Sequence, residues 1–452
     1  MTFEYDEPTL MPRSCSSPLK WFLGLLVFAT TAAGGAECFG QDSDLGTDKS
    51  STSSEPDDKA VEPVIVSGKT EQDILGSLPP DVLAAGEKAK AEFQELKQKL
   101  SATLLEMRKT YIRYQNDEVR NPVARDRYRQ TRNDARDLMN QMFESGLDVI
   151  RQMPDQEVLQ YVLTIIEHRL KHGFYDLSSM EAGARLIDGG FRNPFLFPAT
   201  MRAAIVGGDF TLARKLSEAL DVEKLEEPDQ KLIFYMDELE KQFKSDQEIQ
   251  AKDDVKNNNP RAKMFTTRGE VTIELFINQA PSTVANFIQL AEKGYFDGLD
   301  FYQVIDDLLA LTGDESGTGE GHTGKFLVDE HDRPDSRYGL YGSLVMAKHP
   351  LPGGDFVPNS ASAQFAILLL PVGSVSEKQT VFGRVIKGMD VISELRRVDP
   401  SKKKEKTQIV LPPDRVMSIE MIRRPEELPE VKYFDPRQAT PEMMAPMMPP
   451  AN

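Results

Sequence analysis

Apolar residues recur along this chain at two periods, and the change between them divides it. From about Pro80 the steps are three and four. Phe93, Leu96, Leu100, Leu104, Met107, Tyr111 and Tyr114 make one stripe, the mark of a long amphipathic helix. "NDEVRNPV" interrupts it, with Pro122 as the stop, and a second stripe follows at Tyr128, Thr131, Ala135, Leu138, Met142 and Val149. Two long helices joined by a short polar break predict an antiparallel hairpin whose aromatics form the seam. Beyond Pro260 the period becomes two. "AKMFTTRGEVTIELF" reads as two strands around a turn at Arg268-Gly269, and further runs stand at "FYQVI", "GSLVMA", "AQFAILLL" and "TVFGRVI". "QAPSTVANFIQLAEKGYF" and "GMDVISELRR" read as helices, the first with Pro281 in its first turn and Gly294 at its end. Many short strands with two helices predict a closed β-barrel with helical caps.

Between these regions the pattern predicts shorter helices. "DQEVLQYVLTIIEHRLKHG" ends in basic residues and Gly173, and "SMEAGARLIDGG" and "NPFLFPATMRAAIVGGDFTLARKLSEAL" follow. The last turn-and-helix resembles one unit of a tetratricopeptide-type array, although no strict period repeats. Such a helical-repeat-like surface either binds a protein partner or stacks on a neighbouring domain. The reading is therefore an α+β multidomain chain. It has a signal segment at 1–40, a polar tether at 41–79, an α-helical region at 80–247, a barrel domain at 262–423 and a Pro/Met-rich tail at 424–452.

Export is read from the N-terminus. Arg13 and Lys20 precede an apolar run from Trp21 to Ala33 and then small residues, with cleavage expected between Ala36 and Gln41. An uncleaved anchor and a lipid-modified Cys38 are the rivals, and Glu37 beside that cysteine argues against the lipid. After cleavage no stable membrane span is expected, and the protein belongs to the periplasm or cell envelope. Cys15 and Cys38 are the two cysteines of the 452 residues, so the mature chain has no internal disulfide and no thiol chemistry. A formal charge of −18 argues against a nucleic-acid partner, whose phosphates need neutralising.

Several segments line up in order with one family. "TTRGEVTIELFINQAPSTVANFIQLAEKGYFDGLDFYQVI", the glycine-rich "GDESGTGEG", then "SLVMA", "SAQFAI" and "TVFGRVIKGMDVI" resemble the cyclophilins, the peptidyl-prolyl cis-trans isomerases. The resemblance runs from about Lys263 to Val398. It implies an eight-stranded antiparallel barrel closed by two helices, proline-containing peptide or protein segments as partners, and no metal or other cofactor.

That family rotates an X-Pro peptide bond, whose barrier is about 18–20 kcal/mol because of amide resonance. Rotation needs an apolar seat for the proline ring and a donor aimed at the prolyl nitrogen, which becomes an acceptor only as it pyramidalises. The family's Phe-His-Arg-Val-Ile reads Phe301-Tyr302-Gln303-Val304-Ile305 here, so Gln303 stands in the arginine's place. A hydrogen bond from a charged group is worth about 1.5–3 kcal/mol and one from a neutral group about 0.5–1.5. The exchange is thus expected to cost about tenfold or more in rate. Gln303 and Gln364 are the catalytic candidates. Tyr302, Leu308, Leu309, Leu311, Lys348, Phe365, Ala366, Val375 and Gln379 are the substrate-binding candidates. Among them Leu308 and Leu309 replace phenylalanine and methionine, Leu311 a glutamine, Ala366 a phenylalanine, Lys348 an asparagine and Gln379 a histidine.

Two readings stand: an isomerase of weak or specialised activity on envelope proteins, and a catalytically inactive binding or scaffold protein on the same frame. Other constellations are weaker. "VDEHDRPD" crowds Asp329, Glu330, His331 and Asp332, but adjacent loop residues seldom converge on one ion. Glu167, His168 and His172 resemble part of a zinc-binding helix, yet the acid precedes the first histidine. Positive charge favoured at a helix end is the simpler account of them.

Overall fold

The computed structural model describes residues 74–116, 122–351, 355–400 and 412–435. The proposed signal, most of the tether and the tail beyond Asp435 lie outside the described residues. The chain divides into two compact units, the first ending at Tyr161 and the second starting at Val162. In the first, α1 (Pro80–Asn116) and α2 (Pro122–Gln152) form the predicted hairpin. Their facing stripes are buried: Phe93, Leu96, Leu100, Leu104 and Met107 on one side, Tyr128, Ala135, Met142, Phe143 and Leu147 on the other. The antiparallel sense follows from paired positions, since Thr110 Oγ1 lies 3.0 Å from Thr131 Oγ1 while Ser145 reaches back to the carbonyl of Ala89. Asp155 then caps α3 (Gln156–His172), its carboxylate accepting from Val158 N at 2.9 Å.

The second unit holds the end of α3, then α4 (Leu177–Asp188), α5 (Leu196–Gly207), α6 (Phe210–Glu218), α7 (Glu227–Phe234) and α8 (Met236–Lys256). Asp176 and Asp209 cap α4 and α6 through Ser179 N and Leu212 N. Gly208, at φ +83°, ends α5 in the left-handed conformation that a side chain resists. Helix α8 runs through the polar stretch after Lys244 as far as Lys256, burying Leu239, Gln242 and Asp253. The last turn of α3 carries Arg169, Lys171 and His172. Burial, reinforced by neighbouring His172, Arg169 and Lys171, pushes the His168 imidazole down to about 3. His172 is likewise lowered, by burial first and then Arg397. Both shifts favour the neutral ring, and the two rings lie tilted at 45° with centroids 4.3 Å apart.

The same unit contains the sheet: β1 (Arg261–Thr266), β2 (Glu270–Leu275), β3 (Gln303–Ile305), β4 (Leu309–Thr312), β5 (Ser343–Met346), β6 (Phe365–Leu368), β7 (Val381–Lys387) and β8 (Val416–Arg423). They form one antiparallel sheet in the order β3-β4-β6-β5-β7-β2-β1-β8. The sheet curls until its edges approach, and a bridge between Asp300 and Arg415 joins the lead-ins of β3 and β8. Helices α9 (Pro281–Glu292) and α10 (Met389–Ser393) supply Val284, Phe287, Ile288, Val391 and Ile392 to a core shared with Met264, Ile273, Phe301, Phe365 and Phe382. The eight strands and two helices agree with the fold that the resemblance implies. A two-residue period does not mark strands β4 and β8. The first lies in an apolar run without alternation, the second follows a long polar segment. Part of the tail docks: Tyr433 bridges to Leu327, and Lys432 N donates to Ser282 Oγ at 2.8 Å. Among the described residues no helix is long and apolar enough to cross a membrane.

Candidate functional site

Side chains alternate across a strand, so register decides which predicted residues share a face. Gln303 on β3 pairs with Leu311 on β4, Leu311 with Ala366 on β6, and Ala366 with Val345 on β5. These four form one row on the outer face of the sheet. Ile305, Leu309 and Leu368 form the next row on that face. Leu309 and Val375 pack with Phe276, Val345, Leu368 and Val381 in an apolar patch beside the row. Between the outer rows, Val304, Ala310, Ile367 and Leu344 point inward and are fully buried. Phe365 is also inward, at 0 % exposure, edge-on to Phe287, Phe296 and Phe382. It floors the core beneath the row and does not line the row itself. Leu308 sits at the β3–β4 turn and is 38 % exposed.

The two glutamines have different situations. Among the described residues the Gln303 side chain, half-buried in its row, makes no hydrogen bond, so its amide is available to a ligand. The Gln364 amide is already committed. Its Nε2 donates to the carbonyls of Gly319 and Gly321 at 3.1 and 2.6 Å, and its Oε1 accepts from the Tyr302 hydroxyl at 2.5 Å. Gln364 and Tyr302 thus hold the glycine-rich loop against the sheet. Burial, then the charge of Asp314, raises the Tyr302 hydroxyl above its ordinary range, so it stays a donor. Asp314 organises the loop from inside. It accepts from Ser316 N and Ser316 Oγ at 2.8 Å and from Gly319 N at 2.6 Å. Burial would raise its carboxyl, but these hydrogen bonds outweigh burial and hold it below the usual range. Sequence reasoning passed over Asp314; an aspartate directly before a run of glycines and hydroxyls was the available signal.

Other predicted residues lie around the row with their polar atoms occupied. The Lys348 ammonium, nearly buried, pairs with Asp329 at 2.6 Å and donates to the carbonyl of Lys378 at 3.0 Å. Gln379 Nε2 donates to the carbonyl of Met346 at 3.0 Å. The acidic cluster is likewise spent on structure. Glu330 accepts from Ser282 N, Thr283 N and Thr283 Oγ1 and so caps α9, while Asp329 also accepts from Asn359 N.

The β3–β4 turn is anchored from the helices. Asp307 adopts φ +55°, and its carboxylate lies 2.8 Å from Arg202 Nη1 on α5 and accepts from the Tyr175 hydroxyl at 3.1 Å. Arg202 is 3 % exposed and also makes a two-pronged pair with Asp229 on α7 at 2.6 and 3.0 Å. On the other flank, Arg397 pairs with Asp306 and donates to the carbonyl of His172 at 2.9 Å. A lone arginine in the apolar run "LFPATMRAAIV" was the sequence signal for this network. A cavity of about 390 Å³ lies elsewhere, lined by Phe210, Phe243, Phe276, Tyr341, Pro371 and Arg384 among others, and no predicted site residue borders it.

Comparison with known proteins bears on the same stretch. Residues 261–420 match the model of the cyclophilin type peptidyl-prolyl cis-trans isomerase family. "Peptidyl-prolyl cis-trans isomerase-like 1" of Neurospora crassa is 37 % identical over 139 residues, which is 30 % of this chain and 81 % of that protein. "Peptidyl-prolyl cis-trans isomerase ppi1" of Schizosaccharomyces pombe is 37 % identical over 135 residues, 29 % of this chain and 83 % of its own length. A solved cyclophilin-type isomerase of Cryptosporidium parvum aligns with 24 % identity and a TM-score of 0.31, covering 37 % of this chain and 99 % of that one. The N-terminal helices lie outside the matched residues. With the two curated relatives spanned over four-fifths of their length, this chain belongs, through residues 261–420, to the cyclophilin-type peptidyl-prolyl cis-trans isomerase family.

Proposed function

We propose that the chain is an exported isomerase of slow turnover that binds X-Pro segments of envelope proteins on the outer row Gln303–Leu311–Ala366. The observation that carries this reading is the uncommitted amide of Gln303, set beside apolar Leu309, Leu311 and Val375. Such an amide donates to a pyramidalised prolyl nitrogen more strongly than to a planar one, which is the differential that lowers the barrier. It lacks the charge and fork of a guanidinium, so turnover is slow. In this reading Leu308, Leu309, Leu311, Ala366 and Val375 seat the ring. Gln364, Tyr302, Lys348 and Gln379 shape the rim through the bonds they already make. Export is supported by Arg13 and Lys20 ahead of the apolar run Trp21–Ala33, and N-terminal sequencing of the secreted chain tests it. The neutral donor favours a second reading, peptide binding without turnover.

An isomerisation assay of the full chain on a short Ala-Pro peptide, run with Gln303→Ala and Gln303→Arg, separates these. The expected result is a wild-type rate above background that falls about two- to tenfold in Gln303→Ala. A background rate in the wild type with retained peptide affinity transfers the assignment to the binding reading. No affinity and no rate in any variant removes both.

A further inference from the structure

The turn that carries the site's hairpin is held by groups from outside the sheet. Strands β3 and β4 supply Gln303, Leu309 and Leu311, and only Asp306, Asp307 and Leu308 connect them. Such a short hairpin at the sheet edge, bonded on its outer side through the single Val304–Val398 bridge, has local freedom to open. Asp307 removes that freedom. Its carboxylate meets a guanidinium and a phenol that are themselves buried and fixed: Arg202 by Asp229, and Tyr175 by its contact with Arg202 at 2.8 Å. Tyr341, which precedes β5, completes the frame by accepting from Tyr175 N at 3.2 Å and donating to the carbonyl of Gly173 at 3.3 Å. Desolvation of such buried charges offsets much of their attraction, so the pair is weak evidence for added stability. We propose that Asp307, Arg202 and Tyr175 are positioning residues, through which the helices of the second unit set the height of the β3–β4 hairpin and with it the affinity of the row for a proline segment. The inference rests on reading that row as the proline site.

Asp307→Gly is the informative variant. Glycine accepts φ +55° without strain, and Arg202 keeps Asp229, so the fold is not asked to bury an unpaired charge. Asp307→Asn serves as the conservative control, since asparagine tolerates the same backbone and its carbonyl still accepts from Arg202 and Tyr175. Two readouts are taken on the full chain: amide hydrogen exchange over residues 303–311, and titration of a short Ala-Pro peptide, which needs no turnover. In Asp307→Gly, exchange of the hairpin is expected to quicken about tenfold while β1 and β2 keep wild-type protection, and the peptide Kd to rise about fivefold or more. Asp307→Asn is expected to stay within about threefold of wild type on both. An unmoved hairpin in Asp307→Gly overturns the inference, as does a loosened hairpin with unchanged Kd. A wild type that binds no peptide overturns the reading of the row as well, and is a different result from either.

Discussion

At the scale of single residues, position in the register matters more than residue type. Gln303 and Gln364 look equivalent in the sequence, and both could donate. Register puts the first in an outer row with a free amide and spends the second on Gly319 and Gly321. Glycine is obligatory where backbone approaches backbone. A Cβ on Gly313 would lie 2.5 Å from the carbonyl oxygen of Ala363, and φ is +92°. Gly313→Ala is therefore expected to lower stability by about 2–4 kcal/mol, read as a shift in the denaturant midpoint. Asp314→Asn tests the loop from its centre. Losing charge-assisted bonds to Ser316 and Gly319 is expected to cost about 1.5–3 kcal/mol and to speed proteolysis within residues 315–321.

At the scale of elements, periodicity was the reliable guide where one face is buried and the other wet. Ten of the thirteen stripe residues are buried, Tyr111 and Leu138 are half-buried and the Tyr114 side chain lies outside the described residues; a 3.6-residue repeat admits one buried face. Phe143, fully buried in that seam, lies outside the stripe's steps of three and four, beside Met142. Phe143→Ala is expected to destabilise the hairpin by about 3–5 kcal/mol, measured by the loss of helical circular dichroism with temperature. Where apolar residues stand on both faces of an element, periodicity has nothing to report. Strand β4 lies in the unbroken apolar run Leu308-Leu309-Ala310-Leu311, and the pairing of Leu311 with Ala366 becomes visible only once β6 is placed beside it.

At the scale of the molecule, pH links the half-buried His168 to stability. The folded value of His168 is lowered to about 3 against an ordinary 6.5, so the unfolded chain binds the extra proton throughout that interval. Its contribution is intact above about pH 6.5 and is lost as pH falls toward 3. Between pH 6.5 and 5, before most carboxylates titrate, the wild-type Tm is expected to fall more steeply than that of His168→Gln. Parallel slopes would remove His168 from the account. In the same unit, Arg202 and Arg397 tie helices to the sheet, so the stability of the helices and the order of the β3–β4 hairpin are coupled.

The sequence alone determined the local content of this protein. It settled the two long helices, the shift to a two-residue period, the glycine positions and the order of family segments, because each is written in neighbouring residues. Tertiary structure decided what those segments present to one another. It turned Phe365 inward and Gln303 outward, gave the Lys348 ammonium to Asp329, and brought Arg202 to Asp307 from more than a hundred residues away in the chain. Pairing register and long-range charge contacts depend on distances between elements, and no local pattern of hydrophobic and polar residues encodes them.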